Sequence, residues 1–341
     1  MGKKSAYNVA VVGALGMVGT EMIKTLERRG FPVAELRPLD IAANEGQKVT
    51  FNGKSWTVKE ASFDNFKDID IAIFSAGGDV SEKLAPEAVK QGAVVVDNSS
   101  AWRMDPKCPL VVPEVNPEDL DWHNGIIANP NCSTIQMLVA LKPLHDYAKI
   151  KRVVVSTYQA VSGSGKLAYD GLVDESKEYL ETFKPVTPKA YKTQQIAFNC
   201  LPHIDVFQEG GYTKEEYKMV NETKKMLDKD INVSATCVRV PVWYGHSESI
   251  NIETEKKITR EKAMEILRGA PGIKVVDDVD NEIYPTPLMS NNDDLTMIGR
   301  IREDMTIDNG LNIWVVSNNI RKGAALNAVE VAETLIKRNI I

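Results

Sequence analysis

A β-branched run, Asn8–Val12, passes directly into Gly13-Ala14-Leu15-Gly16-Met17-Val18-Gly19, and helical spacing begins at once behind it. Few arrangements accept that order. Glycines spaced G-x-x-G-x-x-G let the backbone turn tightly and approach a pyrophosphate, and the helix start then offers free N–H groups and a positive dipole end. The apolar run is continuous rather than alternating, as for a strand covered on both faces. Further strands at Ile69–Phe74 and Ala93–Val96, with helices at Thr20–Arg29 and Ser81–Gln91, complete a β-α-β rhythm. The first third therefore reads as a parallel, doubly wound, Rossmann-type α/β domain. Asp40, 21 residues past Gly19, sits where an acid commonly accepts hydrogen bonds from an adenosine ribose. Ser75-Ala76-Gly77 ends the Ile69–Phe74 run and offers a second backbone cradle.

The texture changes after about Asn129. Helices are expected at Ser133–Leu144, Lys166–Phe183, Lys214–Leu227 and Thr259–Arg268, and strands at Arg152–Ala160, Asn232–Val242, Ser249–Thr254 and Ile313–Val316. Strands clustered without strict alternation imply an α+β domain with a mostly antiparallel sheet. The last helix, Gly323–Lys337, carries Ala325, Val329, Ala332 and Ile336 on one face and is expected to return to the first domain. The division expected is 1–131 with 320–341 for the dinucleotide, and 132–319 for substrate, catalysis and dimerisation. A chain of 341 residues suits two domains, and its net charge of −6 gives no footprint for nucleic acid. No apolar run approaches the roughly 18 residues of a membrane span, and no signal-peptide core precedes the first strand. The four cysteines form no CxxC pair. A reduced, cytoplasmic protein is expected. Four scattered histidines argue against a structural metal site.

The segment Ala128-Asn129-Pro130-Asn131-Cys132-Ser133-Thr134 carries the chemistry. Pro130 and the cap-type residues Asn131, Ser133 and Thr134 put Cys132 in the first turn of a helix. Free N–H groups and the dipole there stabilise a thiolate. A thiolate beside a nicotinamide suits covalent acyl transfer coupled to hydride transfer. Cys200 and Cys237 read as buried small hydrophobes, and Cys108 as a loop residue. His246, placed just after the Asn232–Val242 strand, is the expected acid/base, and Arg239 on that strand offers a fork for a carboxylate. His145 and His203 read as structural, and His123 as a turn residue. Arg103, beyond Ala93–Val96, suits a phosphate or carboxylate. Glu215, Lys218 and Glu222 share a face of the Lys214–Leu227 helix, for which the ordinary reading is a solvated surface. Ser162-Gly163-Ser164-Gly165 reads as a flexible loop able to touch a cofactor.

With GALGMVG, DNSSAWRM, NPNCSTIQM, YQAVSG, EEYK…NET, RVPVWYGHSES and VVSNNIRKGAALNAVEVAETL quoted as they stand, the chain resembles the aspartate-semialdehyde dehydrogenases nearly end to end. The resemblance implies NADPH-dependent reduction of L-4-aspartyl phosphate to the 4-semialdehyde and phosphate, serving lysine, threonine, methionine and isoleucine synthesis. It implies Cys132 as nucleophile, His246 as acid/base and Gln159 as the residue orienting substrate. Arg239 would take the substrate carboxylate, and Glu215, or the adjacent Glu216, its ammonium group. Arg103, Lys218 and Asn131 would hold phosphate. Gly13, Ala14, Leu15, Gly16, Met17, Val18, Asp40, Ser75, Ala76, Gly77, Ser162, Gly163 and Asn319 would contact the dinucleotide. A homodimer, or a dimer of dimers, is implied.

The family's usual S-A-R-S run for a 2′-phosphate is replaced by Ile41-Ala42-Ala43-Asn44 after Asp40, without the arginine. NAD is therefore expected to serve comparably with NADP. An N-acetylglutamyl-phosphate reductase or a glyceraldehyde-3-phosphate dehydrogenase shares the thiolate chemistry, but neither needs both Arg239 and an acid on the Lys214–Leu227 helix. A non-catalytic dinucleotide sensor needs neither Cys132 nor His246.

Overall fold

The computed structural model describes residues 4–341, which form two compact units, one of residues 4–130 with 324–341 and the other of residues 131–323. The first unit begins with β1 (Tyr7–Val12), α1 (Met17–Arg28) and β2 (Val33–Asp40). A hairpin of β3 (Lys48–Phe51) and β4 (Lys54–Thr57) follows, then β5 (Lys59–Glu60), β6 (Ile71–Phe74), α2 (Gly78–Lys90), β7 (Val94–Asp97) and β8 (Ile126–Ala128). The main sheet has the order β5-β2-β1-β6-β7-β8, and every pairing in it is parallel. Val9, Val11, Ile71 and Ile73 are wholly buried, because helices cover both faces. The chain winds outward in both directions from β1 and β6, so the switch point lies between their carboxyl ends, where ligands of such sheets bind. The C-terminal helix, Leu326–Lys337, buries Val329 and Ala332 in the core cluster that contains β1 and α1. Its Glu333 receives a two-pronged bond from Arg29 at 2.7 Å on each side.

The second unit holds α3 (Cys132–Ala148), β9 (Ile150–Gln159), α4 (Lys166–Thr182), α5 (Lys214–Met226), β10 (Asn232–Arg239) and β11 (His246–Thr254). It continues with α6 (Arg260–Arg268), β12 (Ile273–Val275), α7 (Pro287–Ser290), β13 (Thr296–Glu303) and β14 (Gly310–Ser317). Its sheet has the order β10-β9-β11-β14-β13-β12. The three central pairings are antiparallel and the two outer ones parallel, so the sheet is mixed with an antiparallel majority. The helix α3 is buried almost all round, the mark of a core helix.

Several elements differ from the expected bounds. The helices α1, α2 and α3 start earlier, at the glycine and asparagine caps that precede them. Both α2 and α3 continue through an internal proline, Pro86 and Pro143. The strand expected over 232–242 stops at Arg239, and β11 starts at His246 rather than Ser249, so His246 opens a strand instead of trailing one. The hairpin turn at Asn52-Gly53, with both residues at positive φ, is an element additional to those expected, and this dipeptide is the strongest short-range hairpin signal.

Candidate active site

Asn131 is the N-cap of α3, and its side-chain oxygen accepts from Ser133 N at 3.0 Å and Thr134 N at 3.2 Å. Cys132 is therefore the first helical residue, half-buried. The cap is itself held from α5. Asn131 N donates to Glu222 Oε2 at 2.7 Å and Asn131 Nδ2 to Glu215 Oε1 at 2.9 Å. Glu215 Oε1 also accepts from Gln159 Nε2 at 3.0 Å, and Oε2 pairs with Lys218 Nζ at 2.9 Å. Burial alone would push the Glu215 carboxyl up, but Lys218, Asn131 and Gln159 together hold it at about 2. Lys218 is held above its ordinary value by Glu215 and by Asp205, 2.8 Å away, against the opposing effect of burial. The face of α5 expected to be solvated is thus turned inward. Glu216 is committed elsewhere: it closes the capping box with Thr213 and accepts from Cys237 N at 3.1 Å. Of the two glutamates, Glu215 is the one that faces Asn131, Gln159 and Lys218.

Gln159 ends β9, and Arg239 lies beside it in register on β10. The next peptide, at Ala160, joins two further groups: its N–H donates to His246 Nδ1 at 3.0 Å and its carbonyl accepts from Arg239 Nη1 at 2.7 Å. A ring whose Nδ1 accepts must, when neutral, carry its proton on Nε2. Burial first, then the Arg239 charge, hold the fully buried imidazole down at about 3, with Glu215 pulling the other way. His246 is therefore a neutral donor at physiological pH. A Cβ on Gly163 would lie 3.1 Å from Arg239 Nη1 and 3.4 Å from His246 Nε2, so only a glycine leaves this approach clear. Ser162 Oγ accepts from Asn319 Nδ2 at 3.0 Å, and Asn319 Oδ1 accepts from Gly245 N at 2.9 Å. The segment expected to be a flexible loop is an ordered single turn, Val161–Ser164, with Ser162 buried. A cavity of about 540 Å³ lined by Arg239, Asp205, His203, Lys192, Tyr191 and Ser164 adjoins the cluster.

In the first unit, Gly13 has φ +80°, and a Cβ there would meet Ser75 O at 2.7 Å. A Cβ on Gly19 would meet Gly13 O at 2.0 Å. The turn after β1 thus lies against the turn after β6. The two helices that begin there, α1 at Gly16 and α2 at Gly77, have no side-chain cap. Two uncapped helix starts at one switch point fit a pyrophosphate. Asp40 ends β2 and is buried. Its carboxylate accepts from Leu15 N at 2.9 Å, Ile41 N at 2.9 Å and Asn44 Nδ2 at 2.7 Å. Arg103 is nearly buried, with Nη2 donating to Asn98 O at 2.9 Å.

Residues 8–123 match the family model for the semialdehyde dehydrogenase NAD binding domain, and residues 141–322 match its dimerisation domain. The aspartate-semialdehyde dehydrogenase of Aquifex aeolicus is 58% identical over 340 residues, covering 98% of this chain and 99% of that one. The chain belongs to the aspartate-semialdehyde dehydrogenase family. Among solved members, aspartate semialdehyde dehydrogenase II of Vibrio cholerae, complexed with ASA, superposes with a TM-score of 0.94 at 46% identity, covering 98% of this chain and 99% of that one. The Candida albicans enzyme, solved with NADP, gives a TM-score of 0.77 at 27% identity, covering 99% of this chain and 100% of that one. As a family member the chain is an NAD(P)-dependent oxidoreductase, and its cofactor is a nicotinamide dinucleotide. The dimerisation domain supports a homodimer. Among the described residues, no helix is long and apolar enough to cross a membrane.

Outside the family's motifs, one sequence expectation fails. Cys200 is exposed rather than buried, and His203, read as structural, is exposed and stacks on Phe207 with ring centroids 4.2 Å apart. Cys237 is buried as expected, and burial, reinforced by Glu215, pushes its thiol up. Sequence reasoning missed Ala160, which acts through its peptide alone and leaves no residue-type signal. It also missed Gly323, on which a Cβ would sit 2.8 Å from Cys132 Cβ. The surrounding turn, Arg321–Ala325, is π-helical, a feature frequent at functional sites and invisible to helical periodicity.

Proposed function

We propose that the chain reduces L-4-aspartyl phosphate to L-aspartate 4-semialdehyde and phosphate through a thioester on Cys132, in the cytoplasm, as a step toward lysine, threonine and methionine. The observation that carries this reading is the pairing of Glu215 with Arg239 on one buried face beside His246. An amino-acid zwitterion needs both charges. A carboxylate has about four acceptor positions; Asn131, Gln159 and Lys218 take three on Glu215, which leaves one for an ammonium group. Arg239 gives Ala160 one donor and keeps others for a substrate carboxylate.

Cys132 attacks the acyl carbon from the start of α3, where the peptide dipoles favour the thiolate. The C–S bond forms, the C–O bond to phosphorus breaks, and phosphate leaves with the electron pair. Lys218, and Asn131 through the helix start that it caps, receive the phosphate; Arg103 keeps the phosphate role that its motif implies. The dinucleotide, when bound, supplies the hydride. His246 donates from Nε2 to the acyl oxygen as negative charge develops there. The hydroxyl proton then returns to His246 Nε2 as the C–S bond breaks, the aldehyde departs and sulfur keeps the electron pair as thiolate. Gln159, tied to Glu215, orients the substrate. Gly13 to Val18 and Ser75 to Gly77 cradle the dinucleotide, with Ser162, Gly163 and Asn319 in the roles their motifs imply.

NADP is the cofactor assigned, with NAD serving comparably. Asp40 places a carboxylate at the end of β2, and residues 41–44 contain no cation to meet a 2′-phosphate. The reverse reaction tests both assignments. Aspartate semialdehyde should support phosphate-dependent reduction of NADP and NAD, while N-acetylglutamate semialdehyde and glyceraldehyde 3-phosphate should not. Turnover with either rival alone would overturn the substrate assignment. A preference for NADP of about a hundredfold in kcat/KM, equivalent to about 2.7 kcal/mol, would overturn the part given to NAD.

A further inference from the structure

Gln159 meets Glu215 through one edge of its amide, and the other edge has an anchor of its own. Thr157 lies two residues earlier on β9, so alternation puts its side chain on the same face. It is wholly buried, and its Oγ1 lies 3.0 Å from Gln159 Oε1. An amide carbonyl only accepts, so the hydroxyl is the donor. The opposite edge is fixed in the same way. Glu215 is ion-paired with Lys218 and accepts only, so the amide turns its N–H₂ toward it, at 3.0 Å. Two groups flank Thr157 in register and could compete for its hydrogen, Cys237 on β10 and Glu248 on β11. The first is a thiol, a weak acceptor. The second takes a side-chain hydrogen bond from Gln136 on α3.

We propose that Thr157 is a positioning residue, whose hydroxyl locks the Gln159 amide with its N–H₂ edge toward Glu215 and the substrate. Glu215 uses one of the two amide hydrogens, and the other is left to face bound substrate. Without the hydroxyl, the buried Oε1 loses its donor, and a change of rotamer relieves that loss. The same change takes the N–H₂ off Glu215 Oε1, the oxygen that also holds the Asn131 amide. Asn131 caps the helix that begins at Cys132. The hydroxyl is therefore the outermost tie in a chain of hydrogen bonds from β9 through α5 to the nucleophile's own turn. The proposal rests on the role assigned to Gln159 and adds a residue that never touches substrate.

The test uses the full chain, and its second readout does not depend on the assigned reaction. Thr157→Val keeps the shape and removes the hydroxyl. With the semialdehyde, kcat should fall about tenfold or more. KM should stay within about threefold, because Glu215 and Arg239 still meet the two charges. Thr157→Ser restores a hydroxyl, and kcat should return to within about threefold of wild type. In a Gln159→Leu background, Thr157→Val should lower kcat by less than about twofold further, since its target is gone. The same pair should be non-additive in Tm, the double variant losing less than the sum of the singles. Thr157→Ala carries the test if Thr157→Val does not fold. Wild-type kcat in Thr157→Val would overturn the proposal. So would a Thr157→Ser variant no better than Thr157→Val, an undiminished Thr157→Val loss in the Gln159→Leu background, or additive Tm losses. Failure of the reaction itself would appear instead in wild type, as absent turnover of the semialdehyde with the Tm coupling intact.

Discussion

The arrangement around Cys132 depends on what its neighbours lack as much as on what they supply. Gly323 approaches so closely that an added Cβ would lie 2.8 Å from Cys132 Cβ and 3.3 Å from its Cα. Gly323→Ala must move the first turn of α3, and a misplacement of about 1 Å can cost about a hundredfold in rate. We expect kcat to fall at least about tenfold, with slower alkylation of Cys132 and an intact fold by circular dichroism; unchanged kcat would refute the close-approach argument. The reacting groups themselves give sharper outcomes. Cys132→Ala should abolish turnover and Cys132→Ser leave at most a trace. His246→Ala should lower kcat by about 10²–10⁴, and Arg239→Lys should chiefly raise KM, because an ammonium cannot reproduce the fork. Cys132 was legible because a proline, an asparagine and two hydroxyl residues mark a helix start around it. Glu215 was not separable from Glu216, since adjacent helical positions differ only in which neighbour the fold brings to them.

Secondary-structure elements position the site through polar atoms buried between them. Glu175 on α4 is the clearest case outside the reacting cluster. Its wholly buried carboxylate accepts four backbone N–H groups: Lys189 at 2.7 Å, Ala190 at 3.1 Å, Ile196 at 2.7 Å and Ala197 at 3.0 Å. One turn earlier, Gly171 lets Ala190 approach, for a Cβ there would lie 2.7 Å from Ala190 Cα. Between these anchors the chain passes through Tyr191, Lys192, Thr193 and Gln194, which line the cavity beside Arg239. Glu175→Gln turns an N–H₂ toward two of those donors, at about 1–3 kcal/mol for each one left unsatisfied. KM for the semialdehyde should rise about tenfold or more, with kcat less affected, and the 184–200 segment should become sensitive to proteolysis. Wild-type KM and protease resistance would show that the loop is held by other contacts. The sequence could not announce this, because a lone glutamate in a polar helix has the pattern of any surface residue. By contrast β1 and β6 were legible as unbroken apolar runs, whereas β13 was hidden by Arg300, Arg302 and Glu303 in its second half.

At the scale of the whole chain, three buried groups in the second unit are among those through which stability follows pH. His246 titrates at about 3 when folded against an ordinary 6.5. Between those values the unfolded chain binds a proton that the native state refuses, so stability rises with pH. Glu215 titrates at about 2 against an ordinary 4.5, so its contribution is present above 4.5 and is lost as pH falls toward 2. Glu248 is displaced upward from 4.5; it keeps its proton in the native state while the unfolded chain releases one, so stability falls as pH rises beyond 4.5. Above 4.5 the contributions of His246 and Glu248 oppose each other. Between about 3 and 4.5 His246 and Glu215 act together, and these two groups should add up to about 2.7 kcal/mol per pH unit, twice the worth of one proton, to the acid limb of the stability curve. At higher pH Glu248 contributes a falling, alkaline limb. Chemical denaturation across pH checks each part: His246→Asn should make the acid limb shallower, and Glu248→Gln should make the alkaline one shallower. An alkaline limb that survives Glu248→Gln unaltered would mean that Glu248 does not keep its proton in the native state.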